Sequence, residues 1–136
     1  MCLRGSSEVQ AHALAKNPDT LVRAYVAWVP MLHGEESDVP DAMSTVGDSR
    51  ARHYWDATGF LIRSYQTVLA LAEPAWDVYM IYPAGVRWDG TTPPPPAFWM
   101  HQLGSPKHPR VSGPYLDAEV FSARLAETIS QTTIRR

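Results

Sequence analysis

The chain has a single cysteine, Cys2, among 136 residues, which excludes an internal disulfide and any multi-cysteine metal site. It has no apolar run near the roughly 20 residues of a membrane-spanning helix. The first residues, MCLRGSSEVQ, lack the apolar stretch of a secretory signal peptide, so the default location is cytoplasmic. An excess of basic charge is lacking as well. The net charge is −2 and the pI about 6.2, which argues against nucleic acid and anionic membranes as partners. There is no glycine-rich phosphate loop, no G-x-S-x-G elbow and no H-E-x-x-H, so nothing points to a nucleotide enzyme, a hydrolase or a metalloprotease.

What is present fits a globular class: 45% hydrophobic and 19% charged residues in a length typical of one domain, 1–136. Residues 7–16 read as a helix opened by a Ser7/Gln10 capping box. The run LVRAYVAWV, 21–29, reads as a strand covered on both faces, as in a parallel sheet flanked by helices, and Pro30 stops it. A short helix is expected over 40–48, with Asp38 as N-cap and Pro40 in its first turn. A short strand follows at 52–55, then a helix over 60–71 with Leu61, Tyr65, Val68 and Leu69 on its apolar face. WDVYMIY, 76–82, is the second strong strand. Pro83-Ala84-Gly85 turns it into a return strand at 86–89. The proline-rich stretch 90–115 reads as a surface loop, anchored by the apolar island 98–103. The last helix spans 117–130, capped by Asp117, with Val120, Phe121, Leu125, Thr128 and Ile129 buried. Strands alternating with helices, then a hairpin and a closing helix, describe an α/β fold with a mixed sheet.

Local groups offer few sites. His12, His33, His53, His101 and His108 show no metal-ligand spacing, and no metal or cofactor is expected. His53 and His101 stand next to aromatics and could meet Met100 in space, but further ligands are lacking. Asp77, inside an apolar strand, reads as an outward-facing residue or a partner of Arg87 across the hairpin. The alternative is a buried acid with a raised pKa. Trp28, Trp55, Trp76, Trp88 and Trp99 read as core, with Trp76 and Trp88 able to share a face beside the turn.

The run Tyr54-Trp55-Asp56-Ala57-Thr58-Gly59, helix, Glu73-Pro74-Ala75-Trp76, strand, turn and strand resembles the redoxin branch of the thioredoxin-like superfamily. Cys2 stands 19 residues before Leu21 with a helix between, like the second cysteine of that family's Cys-x-x-Cys pair. Segments AWDVYMIYP and FWMHQL also resemble bacterial thioredoxin-like proteins. The resemblance implies a three-layer α/β/α fold, N-terminally incomplete, with the first cysteine and the strands before it missing. It implies a cis peptide at Pro74, a substrate-facing role for Ala75 and Trp76, and Cys2 at the resolving-cysteine position. The matching function is a thiol–disulfide oxidoreductase, with a protein or small-molecule thiol or disulfide as substrate. Dithiol turnover needs a second thiol, so that activity is expected to be impaired or lost. The alternative is a non-catalytic thioredoxin-fold binding or assembly module. A missing central strand would leave sheet edges open to pairing, including pairing into a homodimer.

Overall fold

The computed structural model describes residues 3–135; Cys2 lies outside them. The first helix, α1 (Arg4–Val9), continues as one π-helical stretch, Gln10–Leu14, earlier than the expected 7–16. The Ser7/Gln10 capping box does not form. The Ser7 hydroxyl donates to the Leu3 carbonyl, and Gln10 Oε1 accepts the Asp48 N–H. Close approach decides the start of α1: Gly5 lies against Tyr79 and Gln102, where a Cβ would overlap the tyrosine hydroxyl.

Strand β1 (Ala24–Trp28) begins later than expected, because Asp19 folds back to accept the Leu21 N–H in a turn. A crossover follows: a 3₁₀ turn (Glu36–Asp38), α2 (Val39–Met43) and a second 3₁₀ turn (Ser44–Val46). Asp38 accepts the Glu35 N–H instead of capping α2. Strand β2 (Ala51–Trp55) then pairs parallel to β1, with Ala24 beside Ala51 and Trp28 beside Trp55.

Helix α3 (Phe60–Val68) stops at Ala70, which takes a left-handed φ of 52° while the Leu71 N–H bonds Gln66 O. Strand β3 (Val78–Ile81) matches the second strong strand. Its partner differs from expectation. Residues 86–89 form no strand, and β3 pairs antiparallel with β4 (Phe98–His101), taken from the stretch read as loop. Two features account for this. Trp88 packs on Phe60 and Tyr65, with ring centroids 6.3 and 6.2 Å away. Met100 and His101 are buried, so the apolar island gains more by pairing. Helix α4 (Ala118–Ile134) closes the chain, capped by Asp117, which accepts the Glu119 and Val120 N–H groups. Its buried side includes Phe121 and Ser122, whereas Val120 faces outward.

The architecture is mixed α/β. The strands do not join into one mixed sheet: β1–β2 and β3–β4 are separate pairs. The β3–β4 pair is covered on both faces. Ala13, Ile81, Met100 and Phe121 pack between it, α1 and α4. Leu71, Ala75, Leu103 and Val111 pack on the other side with Tyr65, Trp76, Val78 and Trp99. His101 has no exposed surface. Its Nδ1 accepts the Leu103 N–H and its Nε2 lies 3.2 Å from Gly113 O.

Candidate functional site: open strand edges and an arginine–tyrosine face

Parallel pairing shows which way each backbone group of β1 points. The Ala24 N–H bonds Arg50 O, and the Asp56 N–H bonds Trp28 O. In a parallel ladder alternate residues bond the same neighbour, so residues 24, 26 and 28 face β2. Tyr25 and Ala27 therefore turn their N–H and C=O groups away from it. The same reasoning applies to β3. The Gln102 N–H bonds Asp77 O, so 77, 79 and 81 face β4 while Val78 and Met80 turn outward. The far edge of β4 is occupied, since His101 bonds Pro114 O and the Leu116 N–H. Among the described residues, no strand covers the outer edge of β1 or of β3.

The β1–β2 pair also exposes a face. The strand alternation places Arg23, Tyr25 and Ala27 outward on one strand and Arg52 and Tyr54 outward on the other. Tyr25 is 72% exposed and Tyr54 54%, and their rings stack at 6.5 Å. The expectation of a strand covered on both faces is thus corrected: only the side bearing Val26, Trp28, His53 and Trp55 turns inward. There, the Trp28 and His53 ring planes are nearly parallel, 2° apart. The indole N–H donates to His53 Nδ1, and His53 Nε2 meets Val46 O.

A cleft of about 560 Å³ opens at the N-terminal ends of β1 and β2, with Arg23, Arg50, Arg52, Asp48, Thr20 and Ser49 in its wall. Arg50 is structural. Its five N–H donors go to Asp48 Oδ1 and Oδ2 and to the carbonyls of Leu14, Asn17 and Asp19. These side-chain bonds to Arg50 hold the Asp48 carboxyl at about 2, below its usual 3.8, and raise the arginine in turn. Arg23 donates from Nη1 to the Thr20 and Val22 carbonyls, and Arg52 is exposed. Among the described residues neither has a carboxylate partner.

Of the residues expected at a thiol site, Cys2 lies outside the described residues, and Pro74, Ala75 and Trp76 are placed as follows. The Glu73–Pro74 peptide is trans, the state favoured for any X–Pro bond, and the expected cis-proline is corrected. Pro74 O accepts the Trp76 N–H, and Ala75 is buried with its N–H on Ile62 O. Trp76 lies beneath the Arg110 guanidinium at 5.8 Å, and Arg110 pairs with Glu73 at 2.9 Å. The return strand expected to carry Trp88 beside Trp76 does not form, and Trp88 packs on Phe60 and Tyr65 of α3. Asp77 neither faces outward nor meets Arg87. It is 5% exposed and accepts the Tyr79 hydroxyl at 2.6 Å. His53 and His101 lie in different sheets, and the described residues hold no cluster of three metal-ligating side chains. The open face was missed at the sequence level, although the i, i+2 repeat of arginine and tyrosine in both strands (Arg23/Tyr25, Arg52/Tyr54) was its signal. No protein-family model matches the chain, and no curated protein or solved structure is found similar to it.

Proposed function

We propose that the chain is a non-catalytic, thioredoxin-like binding module that accepts a polypeptide strand along an open sheet edge. The carrying observation is the separation of the strands into two pairs, with outward backbone groups at Tyr25 and Ala27 on β1 and at Val78 and Met80 on β3. Such rows of free donors and acceptors template a further strand. The order of elements supports the thioredoxin-like part of the reading: a parallel strand–helix–strand unit, a helix, an antiparallel pair and a closing helix. A thiol–disulfide role would rest on Cys2, the one cysteine of the chain, and on Pro74, whose trans peptide does not favour it.

Ala27→Pro tests this directly. Its N–H is outside the β1–β2 ladder, so proline removes an edge donor and spares the existing pairing. The expected result is a folded protein that no longer takes up a strand. The readout is hydrogen exchange at the Tyr25 amide, which a bound strand slows in the parent and leaves fast in the variant, which has no amide hydrogen at position 27. Light scattering and an insulin-reduction assay complete the test. A monomer showing no edge protection with any strand-forming peptide overturns the proposal, as does turnover like that of a dithiol thioredoxin.

A further inference from the structure

We infer that the strand accepted at β1 is an acidic one, with carboxylates at alternate positions; this rests on the strand-accepting reading above and names its partner. The outward face next to that edge carries Arg23, Tyr25, Ala27, Arg52 and Tyr54, and the acid that follows in the alternation, Asp56, is engaged by the Thr58 hydroxyl and the Leu61 N–H. Arg23 and Tyr25 are two residues apart on β1, and Arg52 stands directly across from Tyr25 on β2. An added strand would lie about 4.8 Å beyond β1. Its same-face side chains would run alongside Arg23 and Tyr25. Arg52 is about two strand spacings, or ~10 Å, from that strand. That distance is within the combined reach of an arginine and a glutamate.

Charge selects among occupants. Asp48 is already engaged by Arg50, and no other carboxylate meets Arg23 or Arg52 among the described residues. A second copy of this chain, docked face to face, would bring arginine against arginine. A foreign strand with acids at every second residue answers both cations and lays the methylenes of those acidic side chains beside the Tyr25 ring. The cleft of about 560 Å³ at the strand ends, walled by the same two arginines with Thr20 and Ser49, extends the anion-accepting surface past the end of β1. Specificity would come from the charges, since backbone pairing alone does not distinguish sequences.

The probes are three fluorescent peptides with alternating Val/Thr positions and Glu, Gln or Lys between them, read by anisotropy at low and high salt. The Glu peptide is expected to bind at least tenfold tighter than the Gln peptide at low salt, with the gap closing as salt rises, and the Lys peptide to bind weakest. Arg52→Glu is expected to invert the order, and Arg52→Gln to flatten it, both with an unchanged far-UV circular dichroism spectrum. Equal binding of Glu and Gln peptides, with the Tyr25 and Ala27 amides still protected, overturns the acidic partner and leaves the strand-accepting function standing. No protection by any peptide overturns both. Tighter binding of an oligothymidylate than of the Glu peptide, lost in Tyr25→Ala, reassigns the face to single-stranded nucleic acid. A dimer that blocks the Glu peptide reassigns it to a second copy; each overturns the inference.

Discussion

Asp48 and Arg50 are two residues apart and form a fork in which the guanidinium also gathers three carbonyls from the end of the first helical segment and the turn after it. The side chains are each 13% exposed, so the pair is only modestly screened. The aspartate ionises at about 2 in the folded chain, below its ordinary 3.8. A depressed carboxyl stabilises the fold above its unfolded pKa and loses that contribution as pH falls through the folded value. The pair should therefore contribute about 1–2 kcal/mol near neutral pH, after discounting for its near-surface position. That contribution disappears between roughly pH 4 and pH 2. Asp48→Asn should be less stable by about that amount at pH 7 and should converge on the parent near pH 2. Urea unfolding at several pH values checks it; a constant gap across the range would deny the linkage. Ala70 gives a second residue-scale expectation. Its left-handed φ of 52° carries a cost of about 1 kcal/mol that glycine lacks. Ala70→Gly should accordingly raise the unfolding midpoint in urea, since the helix end already supplies the Leu71-to-Gln66 bond.

At the scale of elements, apolar character and turn chemistry located most segments, and partner choice was harder to read. Strands 24–28 and 78–81 fall inside the expected runs 21–29 and 76–82, strand 51–55 extends the expected 52–55 by one residue, and Asp117 opens the last helix as its side chain demands. The return strand at 86–89 was misread because a Pro-Ala-Gly turn after a strand is also a good way to leave a sheet. What β3 pairs with depends on where the buried side chains of Phe98–His101 find cover, and that is a long-range matter. Asp77 shows the same limit. Sequence placed it near Arg87, but the hairpin that would have joined them does not form, and the Tyr79 hydroxyl two residues away takes its carboxylate. Cys2 lies outside the described residues, and Pro74 occupies an ordinary trans turn.

For the whole molecule, the two strand pairs differ in cover, and that difference should be visible in solution. The β3–β4 pair lies between α1 and α4 on one face and the Leu71–Val111 cluster on the other. The β1–β2 pair turns Tyr25 and Tyr54 to solvent. Local opening is cheapest where few apolar contacts hold a segment. Native-state hydrogen exchange should therefore find the Tyr79 and Ile81 amides more protected than those of Val26 and Trp28, by tenfold or more. Equal protection would mean that the pairs open as one unit and would remove the reason to treat β1 as the adaptable edge. Binding of a strand at β1 should narrow the gap, because it would add the pairing that the edge lacks.

The sequence by itself determined the mixed α/β class, the positions of the main strands and helices, and the lack of any apolar stretch able to form a membrane-spanning helix; these follow from local periodicity, capping chemistry and composition. Only the tertiary structure decided that the strands separate into two pairs, that β4 comes from the proline-rich stretch, and that one face of the parallel pair is left open with arginines beside tyrosines. The physical reason is that periodicity records which side of a strand is apolar, while the choice of neighbour and the fate of an edge depend on contacts between residues tens of positions apart.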